Sequence, residues 1–323
     1  RAVSNEFRVV EPGDRIRVDG IEVEFLRVTH SILHTAALLI DDGNSSVLCA
    51  TDFKLDEEPI LGYRTDRRRL EEIGREGLLA ALVGTVRVDE PGPTPSEAWV
   101  RERLREVMRE ASATRGLVIA TTFSSHMVRL RSIVDIALEL GRIPVMVGRS
   151  LRNYCTAALE LGLVEFPEDM PIHGRPNAVH NLMKKVQDSR GDYLLICTGH
   201  QGEPTSVLTR IADGQLPIRI AQGDEVIFSA SVIPNPINES NRAILETKLR
   251  AQGAHIYRDV HASGHAGRVD TEEFLRMVRP EHLIPCHGTS DKLRRMVEIS
   301  SELGYGAGRV HQLRNGISLV LGD

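Results

Sequence analysis

Two glycine-flanked histidines in the C-terminal part of the chain have the setting of metal ligands or proton carriers. Residues 259–288 read DVHASGHAGRVDTEEFLRMVRPEHLIPCHG, in which His265 precedes a helical pattern and a short apolar run that ends at His287. A strand that stops at His-Gly places an imidazole on a solvent-reachable turn, which suits either role. Each histidine taken alone is equally consistent with an ordinary surface or core position. A chemical role therefore requires further partners.

Two upstream segments supply such partners. Residues 24–41 (EFLRVTHSILHTAALLID) and residues 45–59 (SSVLCATDFKLDEEP) both read as strand, polar tip, strand. We expect His30 at the tip of the first, and a hairpin about Asp42-Gly43-Asn44 delivers Asp52 at the tip of the second. Neutral imidazoles and an ionised carboxylate can hold a borderline cation and leave room for water. With His287, this set has the ligand chemistry of a zinc hydrolase, although Asp52 alone is consistent with a simple turn.

Several long motifs together resemble a known family. Besides VTHS, TDFK, SGHAG and IPCHG, they are IATTFSSHMVRL (119–130), LLICTGHQGEPTSVLTRIADG (194–214) and VIFSASVIPNPINESNRAILETKLRAQGA (226–254). In order and spacing they are similar to the β-CASP branch of the metallo-β-lactamase superfamily, and within it to ribonuclease J of the archaeal type. The resemblance covers nearly the whole chain. It implies an α/β fold in which a metallo-β-lactamase αββα sandwich, incomplete here, carries an inserted parallel α/β β-CASP domain.

The resemblance also implies a function. His30, Asp52 and His287 match the family's metal ligands that come late in the sequence of a two-zinc site. In that site the residue that matches Asp52 bridges the ions, and the zinc ions activate water. The catalytic residues would be Asp52 and His265, since His265 contacts the reacting phosphate. Ser263 and, more weakly, Ser231 are further expected phosphate contacts. The implied activity is a zinc-dependent ribonuclease that acts as a 5′-3′ exonuclease on 5′-monophosphorylated RNA, with endonuclease activity as an additional option.

The first departure from the family concerns the metal. The family opens its site with HxHxDH, and none of the 12 histidines lies in such a motif. We expect either that the chain lacks its N-terminal portion or that it is a paralogue that has lost the metal. A chain with only three ligands should bind zinc poorly, so the polypeptide of 323 residues is itself expected to be inactive.

The second departure lies at Gly84-Thr85, where the family ends a strand with an acid that supports the catalytic histidines. Asp89 or Glu90 is an alternative carboxylate for orienting an imidazole. The missing acid slightly favours a non-catalytic RNA-binding or dimerising paralogue. A β-CASP nuclease that acts on DNA is a third alternative, because no residue reveals recognition of the 2′-hydroxyl.

The elements that position these residues form one domain interrupted by another. We expect a first part of the metallo-β-lactamase domain at 1–90, a β-CASP domain at 91–258 and the rest of the first domain at 259–323. Alternating helices and strands in the middle part predict a parallel sheet with helices on both faces. The predicted helices are 96–112, 126–140, 150–161, 177–187, 203–213 and 238–252, and the predicted strands between them are 117–121, 144–147, 193–197, 225–229 and 255–259.

Two loops that follow predicted strands are candidate substrate contacts, because parallel sheets bind ligands beyond the carboxyl ends of their strands. One carries Gly199, His200, Gln201 and Gly202 before a predicted helix whose N-terminal amides could receive a phosphate. The other, at 121–125, contains Ser124. A glycine turn and a Ser or Thr helix cap explain each loop equally well.

Composition narrows the class of protein. With 41% hydrophobic and 26% charged residues, the chain is long enough for two cores. No apolar run approaches the roughly 20 residues that span a bilayer, and no signal peptide is evident, so we expect a cytoplasmic protein without a membrane partner. Cys49, Cys155, Cys197 and Cys286 are widely separated and are expected to be reduced core residues.

The charge pattern does not exclude RNA as a partner. The formal net charge is −5, yet a nuclease can concentrate its basic residues in one channel. Basic groups lie at 67–69, in the helix 96–112 and at Arg129 and Arg131, and the helical group alternates with glutamates as a solvated face does. Aromatic residues make up 4%, so phosphate contacts should dominate RNA binding. Relatives often pair, which predicts a homodimer.

Overall fold

The structure, a computed structural model, describes residues 7–321 and contains two compact units. Unit 1 consists of the described residues up to His30, of His34–Thr94 and of those from Ser263, and unit 2 consists of Ser31–Leu33 and Pro95–Ala262. The sequence predicts the two changes of domain a few residues earlier, at 90/91 and 258/259. The outermost residues of the expected first and last segments, 1–6 and 322–323, lie outside the described residues.

Unit 1 is built on a six-stranded mixed sheet. Its strands, numbered along the whole chain, are β1 (Arg15–Val18), β2 (Ile21–Arg27), β3 (Ala36–Asp41), β4 (Ser46–Ala50), β5 (Ala80–Gly84) and β12 (His282–Cys286). The order is β1-β2-β3-β4-β5-β12. The strands β1 to β4 pair antiparallel, whereas β5 pairs parallel with both β4 and β12. The carboxyl ends of β4, β5 and β12 therefore lie at one edge of the sheet.

Three helices cover part of this sheet: α1 (Arg67–Glu76), α8 (Arg268–Val278) and α9 (Ser290–Glu302). Their apolar residues join strand residues in one core, in which the rings of Phe53 and Phe274 pack with centroids 4.4 Å apart. The sequence predicted α8 but neither α1 nor α9. In α1 only Leu70 and Ile73 are buried, so its apolar stripe is too narrow to stand out among ten mostly charged residues.

Unit 2 contains a six-stranded parallel sheet, as the alternating pattern predicted. Its strands are β6 (Val118–Thr121), β7 (Ile143–Val147), β8 (Ile172–His173), β9 (Tyr193–Cys197), β10 (Glu225–Phe228) and β11 (His255–Tyr257), in the order β11-β10-β6-β9-β7-β8. Its helices are α2 (Glu97–Ser112), α3 (Met127–Glu139), α4 (Arg149–Glu160), α5 (Pro176–Asp188), α6 (Val207–Ala212) and α7 (Pro236–Ala251). All five residues of the apolar run in β9 are buried.

The prediction of a helix over 203–213 is wrong at its start. Helix α6 begins at Val207, because the side chain of Ser206 accepts the Thr209 N–H and caps the helix there. The residues between Gly199 and Ser206 form turns instead. The GHQG loop consequently does not lead directly into the helix, and the phosphate contact expected there stays a prediction.

The expectation that all four cysteines are core residues also needs correction. All four cysteines are free, but only Cys155 and Cys197 are buried, whereas Cys49 and Cys286 are partly exposed. Among the basic groups, Arg129 is 0% exposed and pairs with Glu97, so it does not contribute to the basic surface. The glutamate-rich face of α2 does form the expected surface ion pairs, among them Arg103 with Glu106. Among the described residues, no helix has the length and apolar character needed to cross a membrane.

Candidate metal centre and substrate loops

Three histidine side chains of unit 1 lie around the carboxylate of Asp52. The Oδ1 atom of Asp52 lies 3.6 Å from Nδ1 of His265 and 3.4 Å from Nδ1 of His287. The ring of His30 meets that of His265 edge to face, with centroids 4.9 Å apart, and the rings of His265 and His287 are 5.9 Å apart. Residues separated by more than two hundred positions thus converge at one point.

The sheet explains this convergence. Asp52 follows β4 and His287 follows β12, and both strands pair parallel with β5, so their carboxyl ends lie side by side. His30 is held beside them because Thr29 bridges to Lys54, with a hydrogen bond of 2.6 Å from the Thr29 hydroxyl to the Lys54 carbonyl. His287 itself adopts the left-handed conformation, with φ of 59°, which turns the chain sharply after the strand.

The donor set fits zinc. Ligand atoms of His30, Asp52 and His265 all lie within 4.8 Å of one another. Bonds of about 2.0–2.1 Å in a tetrahedral zinc site put neighbouring ligand atoms about 3.4 Å apart, close to the separations around Asp52. The Nδ1 atom of His30 lies 2.6 Å from the carbonyl of Gly264 and donates to it, which leaves the Nε2 lone pair for a cation.

Burial keeps these imidazoles neutral. It lowers the pKa of His30, although the Gly264 carbonyl and the carboxylate of Asp52 oppose the change. Burial, assisted by the neighbouring His30, lowers the pKa of His265 to about 4, against the opposing charge of Asp52. Because a metal needs the unprotonated ring, both histidines are in the required form at neutral pH.

A threonine that sequence reasoning missed fixes the loop around His265. The Thr94 hydroxyl donates to the carbonyl of His265 at 2.8 Å and accepts the N–H of Gly267 at 2.9 Å. The hydroxyl of Ser263 accepts the N–H of His265 at 3.1 Å, which places Ser263 next to the imidazole as expected from its motif. Thr94 lies in PGPTPSE, where its spacing gave no signal, since its role depends on tertiary contacts alone.

The position of the missing acid is closed by backbone packing. A Cβ on Gly84 would lie 1.9 Å from the carbonyl oxygen of Thr51. Thr85 takes part in the site instead, because its N–H and its hydroxyl both donate to the carbonyl of Cys286, at 2.9 and 3.1 Å. Thr85 therefore supports the turn that carries His287.

The expected replacement carboxylates do not orient a histidine. Asp89 pairs with Lys292 at 3.3 Å and Glu90 with Arg87 at 3.8 Å. Neither forms a hydrogen bond to an imidazole within residues 7–321, so that expectation is corrected.

The candidate substrate loops of unit 2 are only partly brought together. Ser124, His200 and Gln201 line one cavity, while Ser231 lines another. The two groups are linked through Gln201, whose amide donates to the carbonyl of Ser231 at 2.9 Å and accepts the N–H of Ile233. The flanking Gly199 and Gly202 both have positive φ, at 128° and 74°. A Cβ at Gly202 would lie 2.4 Å from the Asn241 backbone, which explains the glycine by close packing.

Comparison with known proteins decides the family. Residues 115–246 match a family model described as the beta-CASP domain of ribonuclease J, and residues 254–307 match one described as a Zn-dependent metallo-hydrolase RNA specificity domain. Ribonuclease J of Methanocaldococcus jannaschii is 39% identical over 317 residues, which cover 97% of this chain and 71% of that protein. The chain belongs to the ribonuclease J family. Ribonuclease J of Pyrococcus abyssi is likewise 39% identical, over 97% of this chain and 70% of its own length.

Membership of the ribonuclease J family confirms the resemblance and the fold class. The family lies in the β-CASP branch of the metallo-β-lactamase superfamily and consists of metal-dependent ribonucleases. A crystal structure of a protein of unknown function from Enterococcus faecalis V583 superposes with a TM-score of 0.64 and 18% identity, covering 99% of this chain and 68% of that one. This likeness supports the fold alone.

Proposed function

We propose that this chain supplies the phosphate contacts of a two-zinc ribonuclease site and the metal ligands that follow the HxHxDH motif in the family's sequence. The substrate is RNA, degraded from a 5′-monophosphorylated end in the 5′-3′ direction, with some internal cleavage. The observation that carries the proposal is the convergence of three imidazoles on the carboxylate of Asp52.

Some of these residues would hold the metal and others the RNA. The hydroxyl of Thr51 donates to Oδ2 of Asp52 at 2.8 Å, which leaves Oδ1 for the cluster. Asp52 and His30, the latter oriented by the Gly264 carbonyl, would hold the metal. Bound zinc would supply a Lewis acid that activates water and neutralises charge on the phosphate. Ser263, beside His265, offers a hydroxyl to a phosphate oxygen, and the loops with Ser124, Gly199, His200, Gln201, Gly202 and Ser231 would hold the RNA.

Two histidines compete for the remaining roles. We assign His287 to the metal, because its Nδ1 lies nearer to Asp52, and His265 to the reacting phosphate, because its loop also carries Ser263. The opposite assignment is the alternative, since His265 rather than His287 belongs to the tight group with His30. A zinc affinity that falls on His287→Ala but not on His265→Ala supports our assignment. The reverse result exchanges the two roles.

Three ligands without an HxHxDH motif should hold zinc weakly, so the 323-residue polypeptide should not turn RNA over. The test is a zinc titration against a chromophoric chelator, together with an assay on 5′-monophosphorylated RNA. Asp52→Asn should weaken zinc binding at least tenfold, about 1.4 kcal/mol, whereas Asp89→Asn, which removes a charge paired with Lys292, should not. RNA turnover by this polypeptide that His287→Ala abolishes would contradict its proposed inactivity.

A non-catalytic RNA-binding paralogue is the second candidate, and the closed position at Gly84 favours it. Such a protein would bind RNA in chelator as well as in zinc, and Asp52→Asn would leave RNA affinity unchanged. A zinc-dependent nuclease would show RNA binding or cleavage that depends on Asp52. The same assays with DNA of equal sequence test the preference for RNA.

We also propose a homodimer located in the cytoplasm. Four free cysteines suit a reducing compartment, and relatives of this kind often pair. Sedimentation velocity at micromolar concentration tests the oligomeric state, and a single monomer peak would contradict the dimer.

A further inference from the structure

Two histidines face each other at the edge of the unit 1 sheet that β12 forms. The Nδ1 atom of His282 lies 2.9 Å from Nε2 of His311, and the ring centroids are 5.0 Å apart. His282 is the first residue of β12, whereas His287 follows the last. Because a strand rises roughly 3.3 Å per residue, His282 and His287 are about 15 Å apart along the chain. The pair is therefore separate from the Asp52 cluster.

Backbone hydrogen bonds fix the positions of both histidines. The N–H of His311 donates to the carbonyl of Leu283 at 2.8 Å, and Val310 forms a parallel bridge with Leu283. On the other side of β12, the N–H of His282 donates to the carbonyl of Leu79 at 2.9 Å. The sheet thus holds the two imidazoles side by side before any ligand binds, which lowers the entropic cost of binding one.

The separation of the two nitrogens fits a shared divalent cation. Metal–imidazole bonds of about 2.0–2.1 Å that meet at a right angle put their nitrogens about 2.9 Å apart, whereas a tetrahedral angle puts them about 3.4 Å apart. The shorter separation is the one observed. Right angles belong to octahedral and tetragonal sites, in which imidazole binds Ni²⁺ and Cu²⁺. Within residues 7–321 no third donor completes a three-ligand group here, so water would fill the remaining positions.

Both rings can present a lone pair to such a cation. Partial burial, together with the nearby Arg309 and His311, lowers the pKa of His282, so this ring is neutral at neutral pH. In the metal-free protein one ring donates an N–H to the other. Both rings are partly exposed, so exchange with solvent can move that proton to the far nitrogen of the same ring. Metal binding then needs a change of tautomer and releases no proton.

The positive charge beside the pair is offset. The Nη1 atom of Arg309 lies 3.5 Å from Nε2 of His282, which is too long for a firm hydrogen bond and does not fix the tautomer of that ring. The same Nη1 atom lies 3.2 Å from a carboxylate oxygen of Glu281. Because the charges of Arg309 and Glu281 cancel locally, a cation can approach the two imidazoles.

We propose that His282 and His311 form a second metal site, which binds a divalent cation of the Ni²⁺ or Cu²⁺ class. The cation would hold the segment that follows α9 against the edge of β12. This inference goes beyond the proposed ribonuclease function, since the site shares no ligand with the Asp52 cluster. A hydrogen bond between the two imidazoles, without any metal, is the alternative that the experiment must exclude.

The test is titration of the 323-residue protein with Cu²⁺, followed by electron paramagnetic resonance. Wild type should bind one Cu²⁺ through two imidazole nitrogens. His282→Gln and His311→Gln should each weaken this binding at least about 100-fold, as the loss of one arm of a two-point attachment does. His180→Gln, which removes an exposed histidine of α5, is the matched control and should have no effect.

A second variant separates the two metal sites. Asp52→Asn should leave the two-nitrogen Cu²⁺ signal unchanged, because Asp52 is not a ligand of the second site. Loss of the signal in Asp52→Asn, with none in His282→Gln and His311→Gln, would assign the cation to the Asp52 cluster and overturn the proposal. Equal Cu²⁺ affinity in wild type and in both glutamine variants would overturn it as well. Should one glutamine variant fail to fold, the other still decides.

Hydrogen exchange followed by mass spectrometry tests whether the cation holds the segment. Bound Ni²⁺ should slow exchange of the amides of 310–312 at least about tenfold, because it stabilises the state in which His311 donates to Leu283. The same addition should not slow these amides in His282→Gln, in which the N–H of His311 keeps its acceptor. Equal exchange rates with and without Ni²⁺ in wild type would show that the segment is not held by a metal.

Discussion

The carbonyl oxygen of Thr51 lies 1.9 Å from the point where a Cβ on Gly84 would stand. Because β5 lies between β4 and β12, the turn after β4 rests directly on the end of β5. Because glycine has only a hydrogen as its side chain, the Thr51-Asp52 turn can approach Gly84 closely. This close approach helps to position Asp52 beside the histidines. Backbone packing thus accounts for the glycine where the family has an acid.

Restoring the acid should therefore damage this chain. Gly84→Ala is expected to cost at least about 2 kcal/mol in the free energy of unfolding, as overpacking of a tight site does, and Gly84→Asp at least as much. Both variants should bind zinc more weakly. Gly92→Ala is the control, since a Cβ there meets nothing within 4 Å. Urea denaturation gives the stabilities, and a Gly84→Asp protein of unchanged stability with tighter zinc binding would show that the position is open.

Thr85 should affect the zinc affinity of the metal cluster, although it is not itself a ligand. Thr85→Val removes the hydroxyl that donates to the Cys286 carbonyl and should lower stability by about 1 kcal/mol. Because that bond holds the turn before His287, zinc affinity should fall several-fold. Thr85→Ser keeps the hydroxyl and should retain most of the affinity. If Val and Ser at this position behave alike in the zinc titration, the hydroxyl has no positioning role.

Acid should destabilise unit 2 through His200. Burial, with the charge of Arg242, lowers the pKa of this histidine to about 4, so the unfolded chain, with a pKa of about 6.5, binds its proton first. Stability therefore falls as the pH drops from above 6.5 toward 4. Between pH 7 and pH 5 the loss from His200 is on the order of 2 kcal/mol.

The measurement is urea unfolding of wild type and His200→Phe at both pH values. The variant should lose less stability on acidification, by about the amount assigned to His200, because the remaining histidines titrate in both proteins. Identical pH dependence in the two proteins would mean that His200 is protonated as easily when folded as when unfolded.

The buried ion pair of Arg129 and Glu97 should contribute strongly to the stability of unit 2. Their contacts are 3.0 and 3.1 Å long, and the Arg129 guanidinium also donates to the carbonyls of Ser229 and Val260. Glu97→Gln leaves the arginine buried without its counter-charge and should cost about 3–5 kcal/mol. Glu102→Gln, on the exposed face of the same helix, should cost less than about 1 kcal/mol. Equal costs in urea denaturation would contradict this difference.

The sequence was most informative where burial shapes the residue pattern. The run Tyr193–Cys197 is apolar throughout because both faces of its strand are covered, and the alternation of such runs with amphipathic helices predicted the parallel sheet. Strand β8 escaped prediction because two residues, Ile172 and His173, cannot show a period. The ends of several strands could also be predicted from the sequence, which is why His30, Asp52 and His287 could be singled out.

Contacts between distant segments could not be predicted in this way. Thr85 and Thr94 act through hydrogen bonds to carbonyls 201 and 171 residues away, and no local pattern encodes those partners. The burial of Arg129 could not be predicted for the same reason, since a basic residue gives no sign in sequence of the buried carboxylate that pairs with it. The motif of Gly199 to Gly202 predicted a turn correctly, but the cap at Ser206 moved the helix start.

The pairing of β5 with β12 has a consequence for biosynthesis. Strand β5 is synthesised before the main part of unit 2 and β12 after it. The two strands, which are separated by roughly two hundred residues, can therefore pair only after the whole of unit 2 has been made. During that interval the edge of β5 that β12 will occupy is unpaired, and the third imidazole of the cluster, that of His287, has not yet been made. A ribosome-bound chain that stops before residue 282 therefore lacks His287, and the group of imidazoles around Asp52 can be completed only late in synthesis.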